Sequence, residues 1–272
     1  MKKIILFLFF SLNYVYAQHI NSDSELGILM GGSYYMGDLS PAGNLLLTKP
    51  GGGIEYRYTY NPRFEVRGNF FFTSVSGDDA RSNSLSQKQR NLRFKSNIFE
   101  LSGQLEFNFL PYSIGDPEKP SSPYIFMGLG VFSFDPLAEI DGKEYSLQPL
   151  GTEGQGTPSN PGLKKYKLVQ ACVPFGVGAK FSLAKRMGLT LEWGIRKTFT
   201  DYLDDVSTIY PDPVDLNGSV AISLSDRSHL NDPNISNVGR QRGNSKNKDW
   251  YTFVGIVLGF KFEKEVTCSY NY

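Results

Sequence analysis

The sequence predicts an all-β chain, an eight-stranded antiparallel transmembrane β-barrel with long extracellular loops. Three observations predict it. Apolar residues recur at every second position over unusually long stretches, the connections between those stretches alternate long and short, and a short apolar leader precedes them all. Period-2 alternation means a strand, because successive side chains leave opposite faces. A soluble strand typically runs about 5–6 residues, whereas a tilted transmembrane strand needs about 9–11.

The leader is Lys2-Lys3 followed by the apolar run Ile4 to Phe10 and the small residue Ala17. It reads as a secretory signal peptide over residues 1–17, too short to span a bilayer. The absence of Cys at the expected cleavage point gives no sign of a lipid anchor. The expected organisation is a barrel over 18–264 and a periplasmic tail over 265–272. No later segment approaches the apolar length of a membrane helix. The composition, with 28 glycines and 14% aromatics, suits tightly packed sheet, and the net charge of +1 offers no field for nucleic acid.

The segments follow in order. Leu26, Ile28, Met30, Tyr34 and Met36 oppose Glu25, Gly27, Gly31 and Ser33. Ile54, Tyr56, Tyr58 and Tyr60 oppose Gly53, Glu55, Arg57 and Thr59. Phe64, Val66, Phe70 and Phe72 oppose Arg63, Glu65, Arg67 and Asn69. Phe99, Leu101, Leu105, Phe107 and Phe109 oppose Glu100, Ser102, Gln104, Glu106 and Asn108. The fifth segment, Pro123 to Phe134, is apolar and glycine-rich on both faces, and its pattern sets no orientation. In the sixth, Leu168 to Leu183, a Val/Ala/Phe face opposes Gln170, Cys172, Pro174, Gly176, Gly178 and Lys180. Leu189, Leu191, Trp193 and Ile195 then oppose Thr190, Glu192, Gly194 and Arg196. Last, Trp250, Val254, Ile256, Leu258, Phe260 and Phe262 oppose Gly255, Gly259 and Lys261.

Asn61-Pro62, Tyr112 to Ser122 and Ala184 to Met187 are the short connections. The long ones run from Asp38 to Pro50, Gly77 to Lys95, Asp135 to Lys165 and Thr200 to Asp249. Strict alternation is the pattern of an outer-membrane barrel with periplasmic turns and outside loops. A closed barrel is also the sheet that satisfies every backbone polar group in lipid. The lipid-facing set therefore makes outer-membrane lipids a partner.

Eight strands leave a lumen filled by side chains. The inward list holds Glu25, Glu55, Glu65, Glu100, Glu106 and Glu192 against Arg57, Arg63, Arg67, Lys180, Arg196 and Lys261. Near-balanced signs point to a plug of ion pairs, since a buried charge must be paired; an ion path or catalytic carboxylates is the other reading of the same list. The expectation is no enzyme. The two histidines, His19 and His229, fall at opposite ends of the topology, so no nucleophile–base set assembles around either. No metal-ligand spacing or phosphate loop occurs, and Gly128-Leu129-Gly130 and Gly176-Val177-Gly178 are strand glycines without a following helix. No cofactor is implied. Two loop segments stand out: Leu147 to Gly156 and Thr198 to Ser207. Glu153, Gln155, Asp201, Tyr202, Asp204 and Asp205 are candidate loop contacts. Asp201, Asp204 and Asp205 have the oxygens Ca²⁺ takes but not the spacing of a known calcium loop.

GGSYYMGDLSP, NPRFEVRGNF, PYIFMGLGVFSFDP, LQPLGTEGQG and RKTFTDYLDDVSTIY, in this order along nearly the whole mature chain, resemble the PorG-like outer-membrane barrel family. The resemblance implies a component of the type IX secretion system, which exports folded cargo and supports gliding motility in some bacteria. It also implies association with a periplasmic ring lipoprotein and that protein's partner subunit. A free-standing structural or adhesive barrel is the alternative.

Cys172 is placed inward at mid-barrel and Cys268 in the periplasmic tail, too far apart for the Cα separation of about 7 Å that bounds a disulfide. Cys172 then reads as a buried small hydrophobe. Cys268 is left as a candidate for an intermolecular disulfide, or as a free tail thiol. The resemblance makes the ring lipoprotein the expected recipient.

Overall fold

Among the described residues nine strands form one sheet that closes on itself. They are β1 (Ser24–Met36), β2 (Lys49–Asn61), β3 (Phe64–Asp78), β4 (Arg93–Asn108), β5 (Ser121–Ile140), β6 (Lys143–Ser146), β7 (Val169–Ala184), β8 (Met187–Thr198) and β9 (Trp250–Phe262). Each pairs antiparallel with its neighbour in the order β1-β2-β3-β4-β5-β7-β8-β9, and β9 pairs with β1 to close the ring. β6 stands outside that ring, as a short hairpin partner to the end of β5. The molecule is thus a closed eight-stranded antiparallel β-barrel. This computed structural model describes residues 24–40, 45–157, 162–232 and 234–262. The expected signal peptide, His19, Cys268 and the tail 265–272 lie outside the described residues. Among the described residues no helix is long and apolar enough to cross a membrane, which has no bearing on a barrel.

The alternation resolves into an outside and an inside. Leu26, Ile28, Tyr56, Phe70, Phe99, Leu105, Val177, Trp193 and Val254 are exposed on the outer wall, while Glu25, Glu55, Arg67, Glu100, Lys180 and Glu192 are buried within. The unoriented fifth segment is β5. Its Tyr124, Phe126, Phe132 and Phe134 point inward, and Ile125, Met127, Leu129 and Val131 point out. Glycines on the adjoining strands β7 and β8 make this possible. A Cβ on Gly176 or Gly194 would sit 2.8 Å from the Phe126 ring, and one on Gly178 would collide with the Tyr124 ring. The small inward face of β7 is the space these aromatics fill.

The lumen is filled in layers. Nearest the short turns, Arg57 meets Glu25 at 2.9 Å and Glu55 at 2.6 Å. Lys180 bridges Glu65 and Glu106. Arg67 reaches Glu192 at 2.6 Å, Glu106 at 2.9 Å and Glu55 at 3.3 Å, with its guanidinium over the Phe126 ring. Above lies an apolar layer of Leu29, Phe71, Phe253 and Val257. Arg196 then pairs with Glu100 at 3.2 Å. Toward the long loops a larger cluster follows, including Val75, Ile98, Phe132, Phe134, Cys172 and Tyr251.

Two inward assignments need correction. Arg63 is exposed in the β2–β3 turn, where Nη1 donates to the Phe109 carbonyl at 2.6 Å. Lys261 is half-buried at the short-turn rim and donates to the Ile114 carbonyl at 3.2 Å. Strand parity continues past the point where the lumen opens to water. The sealed network is therefore not balanced. Six glutamates face Arg57, Arg67, Lys180 and Arg196, and neutral phenols add hydrogen bonds without adding charge: Tyr124 to Glu192 and Tyr251 to Glu100, both at 2.8 Å.

Among the described residues, side chains fill the lumen from the ionic layers to the upper cluster, so no open pore is expected. The purified barrel is expected to give no stable nanosiemens-scale steps in planar-bilayer recordings; such steps would show that the plug moves aside.

Candidate functional site: the long-loop cap

The ends of β1, β5 and β9 and the long loops build a compact cap over one mouth of the barrel. Leu203 and Val206 press down into the upper lumen cluster, beside Tyr35 of β1 and Phe134 of β5. Local chemistry shapes the cap's edges. Asp141 and Gly142 both take positive φ, the two-residue turn that hairpins favour, and so β5 folds back on β6. Asp205 also sits at φ 66°, a left-handed conformation tolerated by Asp. A short helix, α1 (Leu85–Arg90), ends at Asn91 in the same conformation.

The structure brings the two sequence-marked segments into direct contact. The buried Glu153 carboxylate accepts from the Ser207 backbone N–H at 2.8 Å, the Thr208 hydroxyl at 2.6 Å and Arg242 Nη1 at 3.0 Å. The Asp205 carboxylate accepts from the Tyr166 hydroxyl at 2.6 Å and from Thr152. Tyr202 stacks on Tyr166 with ring centroids 4.5 Å apart. Gln155 turns back to its own loop, its Oε1 accepting from the Glu153 N–H at 2.9 Å. Arg242 locks the arrangement: it also donates to the Asp205 carbonyl at 2.6 Å and to the Ser225 carbonyl at 3.0 Å. Ser225, in turn, donates to the Thr152 carbonyl at 2.5 Å.

Asp201, Asp204 and Asp205 do not converge. Asp201 accepts from the Ser207 hydroxyl at 2.7 Å, while Asp204 turns to Tyr35 at 2.5 Å. Among the described residues no group of three His, Cys, Asp or Glu side chains gathers as metal ligands. His229 is exposed in the fourth long loop against the Asp226 carbonyl, and the neighbouring Ser228 hydroxyl donates to Asp226.

Tyr35 holds two carboxylates with one proton. Its hydroxyl lies 2.5 Å from Asp204 and 2.8 Å from Asp249. One O–H donates once, so the second contact requires a proton on a carboxyl group. Burial accounts for it: desolvation, with each carboxylate beside other acids, pushes Asp204 and Asp249 well above the ordinary carboxylate range. Burial likewise pushes Asp201 up to about 7, partly offset by Ser207, and Asp205 up to about 6, partly offset by Arg242.

Sequence reasoning missed Tyr35, Tyr166, Arg242 and Asp249. Arg242 lies in a stretch with no periodicity, 89 residues from Glu153. Asp141-Gly142 was a legible hairpin signal inside what reads as plain loop.

The architecture defines an eight-stranded β-barrel of the membrane type, capped at one end. The chain matches the family described as Domain of unknown function (DUF6089) over residues 2–151, and it belongs to that family. No protein of curated function matches it. Among solved structures it is similar to Ail, the attachment invasion locus protein of Yersinia pestis, at 12% identity over 89% of this chain and 100% of that one, with a TM-score of 0.43. It is similar to Neisserial surface protein A at 8% identity over 88% and 97%, with a TM-score of 0.43. For the outer membrane protein OprG from Pseudomonas aeruginosa the values are 11%, 89%, 95% and 0.35. The barrel assignment rests on the strand pairing, not on these likenesses.

Two outcomes are expected of the cap. Arg242→Met leaves Glu153 buried without its cation, so limited proteolysis of the folded variant should cut in the 151–157 and 201–208 segments while the strands resist; resistance equal to the parent would mean that the loops hold without it. The second concerns pH. A carboxyl group whose folded pKa exceeds its unfolded value favours the folded cap at low pH, and that contribution is lost as pH rises through the folded value. For Asp201 the window runs from about 4 up to about 7. Cap proteolysis by a protease active across that range should rise between pH 5 and about 8, less steeply in Asp201→Asn. A variant with the parent's full pH response would assign it to another group.

Proposed function

We propose that this protein is a non-enzymatic bacterial outer-membrane barrel that anchors or positions a type IX secretion assembly through periplasmic partners. The observation that carries the membrane half of this reading is the continuous apolar outer wall around a closed, polar-filled sheet. In water that wall would be an aggregating surface; in lipid it is solvated, with no strand edge left open. The long-loop cap would then lie outside the cell and the short turns in the periplasm. A plugged lumen and a sealed cap fit a structural role better than conduction.

The secretion half rests on the resemblance to the PorG-like family. The loop segments that carry it most specifically, LQPLGTEGQG and TDYLDDVS, are the ones interlocked through Glu153 and Asp205. Their constraint is mutual packing, so the same segments could cap a free-standing structural or adhesive barrel.

Detergent pull-down of the tagged protein, with identification of its companions, separates the two. The proposal expects a periplasmic ring lipoprotein and its partner subunit. It also expects a heavier band on non-reducing gels that disappears with Cys268→Ser but not with Cys172→Ser. No periplasmic companion, together with unimpaired protein secretion on deletion, would contradict the secretion role and favour the free-standing barrel.

A further inference from the structure

Above the last apolar row of the outer wall, two arginines share one acceptor. Arg93 opens β4 with its side chain on the outer face, and Arg227 comes from the fourth long loop. Arg93 Nη2 donates to the Glu139 backbone carbonyl at 3.1 Å, and Arg227 Nη1 donates to the same oxygen at 3.3 Å. Among the described residues neither guanidinium has a carboxylate within 4.0 Å. Arg227 Nε is buried with no hydrogen-bond partner at all. Burial and the Arg93 charge together pull the Arg227 pKa down, with Asp78 and Glu139 opposing from a distance. Two like charges held against one carbonyl is an arrangement that lacks an anion.

The surroundings state which kind. A cavity of about 230 Å³ opens beside Arg93, and its lining includes the cations Arg81, Arg93 and Lys95 together with the acids Asp78, Glu139 and Glu144; Arg227 reaches its edge at the Glu139 carbonyl. Of the three carboxylates there, the exposed Glu139 side chain makes no ion pair with either arginine within 4.0 Å, and the other two are held by near neighbours. Asp78 accepts from the Ala80 N–H at 3.0 Å and lies 3.8 Å from Arg81, while Glu144 lies 3.9 Å from Lys95. Height on the barrel is the second clue. Facing rows on β3 and β4 run Phe72–Phe99, then Ser74–Asn97, Ser76–Lys95 and Asp78–Arg93. The six-residue step from Phe99 to Arg93, on a tilted strand, places the arginines on the order of 15 Å beyond the last aromatic row. In the bilayer orientation proposed above, on which this inference rests, that lies past the hydrocarbon edge on the outward side, the height of the sugars and phosphates of a glycolipid rather than of its acyl chains.

We infer that Arg93 and Arg227 hold a phosphate monoester of an outer-leaflet glycolipid headgroup. Guanidinium groups fit phosphate oxygens in paired hydrogen bonds.

The test uses the folded protein in detergent micelles. Three probes are compared by native mass spectrometry and titration: bisphosphorylated lipid A, the same lipid with its phosphates removed, and inorganic phosphate. The parent should bind the bisphosphorylated lipid about tenfold more tightly than either other probe, the difference of one charge-assisted contact. Arg93→Gln/Arg227→Gln should lose that preference. Arg93→Gln alone, at an exposed position, should weaken it should the double variant fail to fold. Lys164→Gln, elsewhere on the loops, should bind as the parent does. Equal binding of both lipids, or a folded double variant that binds as the parent does, overturns the site. Inorganic phosphate binding as tightly as the lipid overturns the lipid assignment. Micelle binding does not depend on where the protein resides, so cell fractionation that found it outside the outer membrane would defeat the functional proposal and leave this measurement standing.

Discussion

Arg67 lies at the centre of the closed sheet with Glu55, Glu106 and Glu192 around its guanidinium and Phe126 across its face. A charge so enclosed has no recourse to water, and removing one partner of such a pair costs about 3–5 kcal/mol. Much of the barrel's detail follows from satisfying it. Phe126 can reach the guanidinium because Gly176 and Gly194 leave the space. Glu106 also serves Lys180 and Arg57, so three cations are tied through one carboxylate. Glu192 takes its second donor from Tyr124, which needs the opening at Gly178.

The two halves of the lumen solve different problems. Toward the short turns the filling is ionic and cross-links strands far apart in sequence. Toward the long loops it is aromatic and aliphatic, and it continues without a break into Leu203 and Val206 of the cap. The cap is therefore an extension of the core rather than a set of separate loops. Its own polar groups close by the same rule. Glu153 and Asp205 are buried, and Arg242 reaches both segments. Tyr35 is the junction: its ring packs edge-on against Phe94 at 4.9 Å while its hydroxyl holds Asp204 and Asp249.

The faces of seven strands were legible because one side of each is uniformly apolar and the other is not. β5 was illegible for a physical reason. Tyr124 and Phe126 are as apolar as Ile125 and Met127, and what turns them inward is the glycines of β7 and β8, which no pattern within β5 records. Arg63 and Lys261 share the parity of the lumen set but sit where the sheet meets water, and parity alone cannot mark that boundary. In the loops, the candidates Glu153 and Asp205 lie in the two segments that stood out. Arg242, Tyr166 and Asp249 did not, because contacts between non-periodic segments leave no spacing to read. Asp141-Gly142 was readable and marks the hairpin that carries Glu139 to Arg93 and Arg227.

The central claim is that mutual pairing of lumen charges, rather than any water-filled path, holds the barrel in one shape. A double-mutant cycle on Arg67 and Glu192 tests it most directly, with stability read from reversible urea unfolding in lipid vesicles. Arg67→Met and Glu192→Leu should each destabilise strongly, and the double variant should lose less than the sum by roughly 1–3 kcal/mol. Strictly additive losses would mean that the two groups do not depend on each other, and the filled, paired lumen described here would be wrong.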